Sequence, residues 1–190
     1  MSVSKIKATV FSQEQLASDV FSMWLEVGSI ASEAKPGQFI SVYSNDDSKL
    51  LPRPISICEI DRENGRLRIV YRVVGYGTKE FSGCKAGETL EIMGPLGNGY
   101  TLKKDKAILV AGGIGVPPML ELAKELDCEK TIVLGYRDEL FLNKEFEQYG
   151  KVVIATEDGS CGTKGNVLDA IRAESVDGQV IYSCGPTPML

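Results

Sequence analysis

The hydrophobic pattern of the chain changes near residue 100, and this change constrains the fold more than any other feature of the sequence. Beyond it, four continuous apolar runs alternate with helix-like segments, as strands buried on both faces of a sheet require. The runs span residues 107–111, 131–136, 152–156 and 179–183. Helix candidates lie at 117–127, 139–148 and 166–174. Alternation of this kind predicts a parallel sheet with right-handed crossovers.

The first hundred residues instead show short segments in which apolar and polar residues alternate. The clearest is Arg66–Val73, which places Leu67, Ile69 and Tyr71 on one face. The other strand candidates are Ile6–Phe11, Val20–Val27, Gln38–Tyr43, Ile55–Ile60 and Thr89–Met93. Six short strands separated by turn residues predict a small antiparallel barrel or sandwich.

One short helix is expected within this β-rich half, starting at Thr78 as its N-cap and stopping at Gly83. The boundary between the halves is expected near the lysine-rich segment that follows Tyr100. The sequence therefore predicts two domains, a β domain at 1–102 and an α/β domain at 103–190.

Composition excludes several kinds of chemistry. The chain has no histidine. It therefore cannot activate a serine or cysteine nucleophile with an imidazole, use an imidazole as an acid or base, or bind a metal through histidine. Its five cysteines lie 26, 44, 33 and 23 residues apart, which is not the short spacing of zinc or iron–sulfur sites. We therefore predict no metal site and free thiols, and we expect the chemistry to come from an organic cofactor.

The charge distribution argues against nucleic acid and membrane partners. The net charge is −5, and residues 104–190 hold 9 basic and 14 acidic side chains. An acidic surface binds phosphates and anionic lipids poorly. No apolar run approaches the roughly 20 residues of a membrane span, and no secretory signal is visible, so the predicted location is the cytoplasm.

Two glycine-containing motifs follow predicted strands of the second half. In the first, Gly112, Gly113 and Gly115 open a helix, where backbone N–H groups favour an anion. In the second, Cys184 and Gly185 follow the last strand, at the carboxyl end of the sheet. The first motif is equally compatible with an ordinary tight turn, and Cys184 with a buried structural thiol.

The β domain carries a second group of candidates. Arg53 lies between two prolines, which hold it in an extended backbone suited to phosphate contact, and Ser56 follows three residues later. Gly77 and Thr78 precede the short helix and form another possible anion site. Tyr71 is flanked by Val70 and Arg72. The alternatives are a surface arginine at Arg53, core packing for Tyr71 and a solvated charge at Arg72.

Glu157 and Asp158 end the third apolar run of the α/β half. Carboxylates at this edge accept hydrogen bonds from ribose hydroxyls and repel a 2′-phosphate, which favours NAD over NADP. An ordinary acidic loop is the alternative, and Arg137, a cation at a neighbouring strand end, argues partly against the preference for NAD.

Taken in order, these motifs resemble the ferredoxin–NADP reductase superfamily over essentially the whole chain. The matching segments are R-P-I-S (53–56), G-x-G-T (75–78), G-P-L-G (94–97), G-G-I-G-x-x-P (112–118) and C-G-P-x-P-M (184–189). R-P-I-S-I and M-G-P-L-G-N-G-Y most resemble the electron-transfer subunits of NAD-linked, two-component dihydroorotate dehydrogenases.

The resemblance implies a Greek-key FAD-binding β-barrel followed by an NAD-binding α/β domain. It places Arg53 at the pyrophosphate and Ser56 near the isoalloxazine, with Pro54 and Ile55 between them. Val70, Tyr71 and Arg72 would line the flavin, and Gly77 and Thr78 would bind pyrophosphate oxygens. The α/β motifs would bind the pyridine nucleotide, with Cys184 and Gly185 near the nicotinamide. Ser56 and Cys184 are thus the residues expected nearest the reacting rings.

The activity implied by the resemblance is hydride transfer from NADH to FAD, followed by electron transfer to a catalytic dihydroorotate dehydrogenase subunit in pyrimidine synthesis. In that family a cysteine-rich segment binding a [2Fe-2S] cluster carries the electrons onward. No such cysteine cluster occurs here, so we expect a C-terminally truncated chain without an iron–sulfur cluster.

Two alternatives remain at this stage. One is an electron-transfer subunit of another complex of the superfamily, such as a sulfide dehydrogenase, a hydrogenase or a glutamate synthase-linked flavoprotein. The other is a non-catalytic nucleotide-binding redox module. Arg53, Ser56 and Thr78 disfavour the module, because a protein that binds only NAD needs no second phosphate site in a β domain.

Overall fold

The structure, a computed structural model, describes residues 3–46 and 48–187. The chain forms two compact units that divide between Tyr100 and Thr101. This division lies two residues before the domain boundary expected from the sequence. Among the described residues, no helix is long and apolar enough to cross a membrane.

The first unit is a closed six-stranded barrel, which confirms the predicted β architecture. Its strands are β1 (Ser4–Ala17), β2 (Val20–Glu26), β3 (Phe39–Val42), β4 (Arg53–Asp61), β5 (Arg66–Arg72) and β6 (Thr89–Leu96). They follow the order β1-β2-β5-β4-β3-β6, and every neighbouring pair is antiparallel. Each strand overlaps the segment that alternation predicted for it.

Strand β5 shows why the alternating pattern produces a barrel. Leu67, Ile69 and Tyr71 point into the barrel and belong to its buried core. On the outer face Arg68 is only 5% exposed, because neighbouring strands cover it. Its guanidinium is 2.9 Å from Glu59 Oε2, and its Nε donates to Ser22 Oγ at 2.8 Å. This buried charge is therefore paired and hydrogen-bonded, as a position out of water requires.

Two helices accompany the barrel, α1 (Ser29–Glu33), which the sequence analysis did not predict, and α2 (Tyr76–Ser82). The expected N-cap of α2 was wrong. Gly75 occupies the cap position, and Thr78 lies in the first turn. Thr78 Oγ1 accepts hydrogen bonds from the N–H groups of Val74 (3.0 Å) and Gly75 (3.2 Å), so it closes the turn from inside the helix. Gly83 is the C-cap, as predicted.

The second unit contains the predicted parallel sheet. Its strands are β7 (Ala107–Gly112), β8 (Lys130–Tyr136), β9 (Lys151–Thr156), β10 (Thr163–Lys164) and β11 (Val180–Cys184). The order is β10-β9-β8-β7-β11, and all pairs are parallel. The four apolar runs became β7, β8, β9 and β11. The two-residue β10 was not predicted, because so short a segment carries no periodicity.

The helices of this unit are α3 (Pro118–Glu125), α4 (Asn143–Phe146) and α5 (Val167–Ala173). A single 3₁₀ turn, Gly113–Gly115, precedes α3. The predicted helix at 139–148 is mostly loop. Leu142 adopts a left-handed conformation (φ 62°), and the Tyr136 hydroxyl donates to the Phe141 carbonyl at 2.7 Å. This tertiary hydrogen bond fixes the segment in a non-helical path.

Candidate cofactor sites

In the barrel unit, strand β4 and the start of helix α2 bring Arg53 and Gly77 together. A β-carbon on Gly77 would lie 3.0 Å from Arg53 Nε, so the arginine side chain packs closely on this glycine and would have to shift for a larger residue. The first N–H groups of a helix lack partners within the helix and carry partial positive charge. A guanidinium beside such a turn forms a site suited to phosphate oxygens.

The neighbouring residues of β4 alternate between solvent and core. Pro54 is exposed, whereas Ile55 packs into the barrel core opposite Ile40. Ser56 is half-buried and pairs with Phe39. The hydroxyl of Ser56 thus lies three residues along the strand from Arg53, and the Ile55 side chain belongs to the interior.

At the end of β5 the three predicted flavin-lining residues have different environments. Val70 and Tyr71 are buried, and Arg72 is half-exposed with its Nε 3.2 Å from Asp19 Oδ2. The Tyr71 ring packs edge-on against Phe81, and burial raises the pKa of its hydroxyl. The Tyr71 side chain therefore packs in the core, the alternative given by the sequence.

Gln13 holds this corner of the barrel together and was missed by the sequence analysis. Its Oε1 accepts the Tyr71 hydroxyl at 2.8 Å, and its Nε2 donates to the carbonyls of Ser82 (3.0 Å) and Cys84 (2.9 Å). The side chain thus ties β1 and β5 to the C-terminal end of α2. These partners lie 58 to 71 residues away in sequence, so no local pattern identifies Gln13.

In the α/β unit, the two glycine-containing motifs lie in contact. A β-carbon on Gly115 would lie 2.3 Å from the Cys184 carbonyl oxygen and 2.7 Å from Gly185 Cα. The parallel pairing of Cys184 with Ala111 aligns the ends of β11 and β7. Gly112, Gly113 and Gly115 therefore share one edge of the sheet with Cys184 and Gly185. Pro188 and Met189, the last residues of the second motif, lie outside the described residues.

Gly113 leaves free space beside the backbone at this edge of the sheet. It has a positive φ of 53°, and a β-carbon there would meet no atom within 4 Å. Both Cys184 and Gly185 are partly accessible. The backbone at this strand end is thus exposed for close approach, which is the geometry that a phosphate or a nucleotide ring requires.

Glu157 and Asp158 lie at the same carboxyl edge, after β9. Asp158 Oδ1 accepts hydrogen bonds from Ser160 N (2.9 Å) and Ser160 Oγ (2.7 Å), and these bonds lower the pKa of Asp158. Glu157 is exposed and has only its backbone N–H engaged, by the Tyr136 carbonyl at 3.2 Å. The structure thus separates the two carboxylates: Asp158 shapes the loop, and Glu157 extends from it.

The described part of the chain holds no cluster of three or more histidine, cysteine, aspartate or glutamate side chains that could bind a metal ion. All five cysteines are free thiols. The two arrangements that remain are an arginine beside a helix start and a glycine-lined sheet edge, and both are suited to the phosphates of a nucleotide.

Comparison with known proteins agrees with this reading of the geometry. Residues 7–100, nearly the whole barrel unit, match the family described as oxidoreductase FAD-binding domain. In sequence the chain is similar to the electron transfer subunit of dihydroorotate dehydrogenase B (NAD(+)) from Fusobacterium nucleatum, with 41% identity, covering 96% of this chain and 76% of that protein. The subunit of the same name from Streptococcus pneumoniae is 42% identical over 95% of this chain and 74% of its own length.

A solved structure of an NADH-dependent reduced ferredoxin–NADP oxidoreductase superposes with a TM-score of 0.87 and 31% identity, covering 96% of this chain and 68% of that one. The chain spans about three quarters of the length of the two sequence relatives. Fold, motif order and identity agree, and the chain belongs to the family of electron transfer subunits of dihydroorotate dehydrogenase B, within the ferredoxin–NADP reductase superfamily.

Proposed function

We propose that this chain is an NADH-dependent flavin oxidoreductase that passes electrons to a catalytic dihydroorotate dehydrogenase subunit in pyrimidine synthesis. The observation that carries the proposal is the close approach of Arg53 to Gly77 in the barrel. A cation beside a helix start supports a phosphate site there, and a pure NAD-binding module does not need such a site. The names of the relatives, which are electron transfer subunits of an NAD(+)-linked enzyme, support the same function.

FAD, when bound, supplies a ring that accepts a hydride and releases electrons singly. The role of the barrel residues is to bind and orient it. Arg53 neutralises pyrophosphate charge, and the N–H groups of Gly77 and Thr78 donate to the same oxygens. Ser56 offers its hydroxyl to the ring, and the end of β5 at Arg72 borders it.

NADH binds, in this proposal, at the carboxyl edge of the parallel sheet. Gly112, Gly113 and Gly115 let the pyrophosphate approach the backbone, and Cys184 and Gly185 lie beside the nicotinamide. Glu157 accepts hydrogen bonds from a ribose and disfavours a 2′-phosphate, while Asp158 keeps the loop in shape. No residue here acts as a strong acid or base, which suits a hydride transfer that depends on positioning and exclusion of water.

The partner is a catalytic dihydroorotate dehydrogenase subunit, and the complex works in the cytoplasm. Five free thiols fit the reducing conditions of that compartment. The expectation that this chain itself binds no [2Fe-2S] cluster also remains part of the proposal, because its cysteines lack the required spacing.

An absorption spectrum of the purified chain with added FAD, before and after anaerobic NADH, tests this function. We expect a bound-flavin spectrum that bleaches with NADH, and that bleaches more slowly with NADPH at the same concentration. A chain that retains no flavin would overturn the assignment of the barrel. Long-wavelength iron–sulfur absorbance in the purified chain would overturn the expectation of an iron-free protein.

A further inference from the structure

The side-chain amide of Gln13 makes three hydrogen bonds, and two of them hold the end of α2. Its Nε2 donates to the carbonyls of Ser82 at 3.0 Å and Cys84 at 2.9 Å, and its Oε1 accepts the Tyr71 hydroxyl at 2.8 Å. Because backbone carbonyls only accept hydrogen bonds, the amide nitrogen must face α2 and the oxygen must face Tyr71. Gln13 therefore has one defined orientation.

The bond to Ser82 completes the C-terminal end of α2. The last carbonyls of a helix have no N–H partner within the helix. At this end the N–H of Gly83 reaches the carbonyls of Glu80 and Phe81. The Ser82 carbonyl receives the amide of Gln13 instead, from a strand 69 positions away in the sequence.

An apolar contact also joins α2 to the barrel. Phe81 is fully buried, and its ring lies edge-on to that of Tyr71, with the centroids 6.2 Å apart. Apolar burial is not directional, so it opposes separation of the helix from the barrel more than rotation of the helix. Hydrogen bonds depend on angle, and those from Gln13 therefore fix the orientation of α2.

The opposite end of α2 carries the contact on which the proposed phosphate site depends. A β-carbon on Gly77 would lie 3.0 Å from Arg53 Nε, so the arginine side chain packs directly on the first turn. Ser82 follows Gly77 by five residues, which is about 7.5 Å along a helix axis. A change of tilt at the Ser82 end therefore displaces the first turn relative to Arg53.

We propose that Gln13 is a positioning residue for the flavin site. By fixing the C-terminal end of α2, it holds the first turn of the helix against Arg53 and so sets the affinity for the phosphates of the flavin cofactor. The inference rests on the proposed function, since it assumes that Arg53 and Gly77 bind the pyrophosphate. In this role Gln13 acts through α2 and does not contact the cofactor.

Gln13→Glu separates the bonds to α2 from the bond to Tyr71. A carboxylate still accepts the Tyr71 hydroxyl, but it has no N–H to donate to the two carbonyls. We expect FAD binding, measured by fluorescence titration of the purified chain, to weaken about tenfold. Gln15→Glu is the matched control, because Gln15 lies on the same strand and its Nε2 donates to the exposed Ser18 carbonyl at 2.9 Å. The FAD affinity of this control should stay unchanged.

A double-mutant cycle with Arg53→Ala distinguishes positioning from a general loss of stability. If Gln13 acts through the contact of α2 with Arg53, Gln13→Glu should weaken FAD binding only about twofold once Arg53 has been replaced. Gln13→Met has a similar length and also lacks the bonds to α2, and it repeats the cycle without adding a charge if Gln13→Glu does not fold.

Equal weakening of FAD binding by Gln13→Glu in the two backgrounds would overturn the proposal, because the residue would then act independently of Arg53. Unchanged FAD affinity in Gln13→Glu, or the same loss in Gln15→Glu, would overturn it as well. Tyr71→Phe breaks only the third bond of Gln13, so a tenfold loss in that variant would assign the effect to Tyr71 rather than to α2. Absence of flavin binding in the unmodified chain would overturn the proposed function itself, and this inference with it.

Discussion

The two proposed nucleotide sites of this protein are built in different ways. The barrel site relies on a cationic side chain, Arg53, placed against a helix start at Gly77. The sheet site relies on backbone that glycines leave accessible, at Gly113 and beside Gly115, with a carboxylate at its far end. In the proposed function, the barrel site therefore recognises a ligand mainly by charge and the sheet site mainly by shape. The same kind of substitution should then affect binding differently at the two sites.

The largest effect is expected at Gly115, where the glycine-lined edge of the sheet is tightly packed. Because a β-carbon there would lie 2.3 Å from a backbone oxygen, Gly115→Ala must separate the end of β11 from the turn after β7. We expect a loss of about 2–3 kcal/mol in the free energy of unfolding, measured by urea denaturation, together with weakened NADH binding.

Gly113→Ala is the control, since its β-carbon meets open space and only the positive φ opposes it. Gly113→Ala should lower the free energy of unfolding by about 1–2 kcal/mol. Equal stability of Gly115→Ala and the unmodified chain would show that the two motifs are not packed as described.

The next effect tests recognition of charge in the barrel. Arg53→Ala removes the cation from the proposed pyrophosphate site, so FAD binding should weaken about ten- to hundredfold. The salt dependence of FAD binding should fall as well, because an ion contact is lost. Fluorescence titrations at low and high ionic strength measure both quantities.

Arg53→Lys keeps the positive charge, so it should recover part of the affinity for FAD. The recovery should be incomplete, because lysine cannot donate two parallel hydrogen bonds to a phosphate as arginine can. NADH binding to the sheet site should remain unchanged in both variants. Undiminished flavin retention in Arg53→Ala would remove Arg53 from the phosphate site.

A smaller effect separates Glu157 from Asp158. Glu157→Ala should narrow the preference for NADH over NADPH about five- to tenfold, because it removes the carboxylate that extends from the loop. The ratio of kcat/KM for the two nucleotides in flavin reduction measures the preference. If only Asp158→Ala changed the ratio, the roles assigned to these two residues would be reversed.

Asp158 should instead affect how the stability of the folded chain depends on pH. Its hydrogen bonds to Ser160 lower its folded-state pKa below the ordinary value of 3.8. The stabilisation is therefore complete above pH of about 4 and is lost as pH falls through the folded-state pKa. Thermal unfolding of Asp158→Asn should be less sensitive to pH in this acid range than that of the unmodified chain.

The smallest effect concerns Tyr71, whose ring lies in the core. Tyr71→Phe removes one hydrogen bond, to Gln13, and should cost about 1 kcal/mol of stability. Because the side chain does not face the proposed ligand, the spectrum of bound flavin should stay the same. A shifted flavin spectrum would place the Tyr71 hydroxyl near the cofactor after all.

Particular elements show which features of the structure local patterns reveal. The alternation in Arg66–Val73 and the apolar runs of the second half predicted their strands, because burial on one or both faces leaves a direct mark on the sequence. The helix predicted at 139–148 shrank to Asn143–Phe146, because the bond from Tyr136 to the Phe141 carbonyl lies outside any helical period. Thr78 was correctly linked to the start of α2 but placed at the wrong position of the cap.

The sequence by itself determined the two architectures, the order of the motifs and the absence of histidine chemistry, since each depends only on residue type and spacing. Tertiary structure alone decided which residues meet. It put Gly77 against Arg53, Gly115 against Cys184 and Gln13 against Tyr71, pairs separated by 24 to 69 positions in the chain. Such contacts arise when strands and helices pack, and packing brings together residues whose separation in the chain leaves no periodic signal.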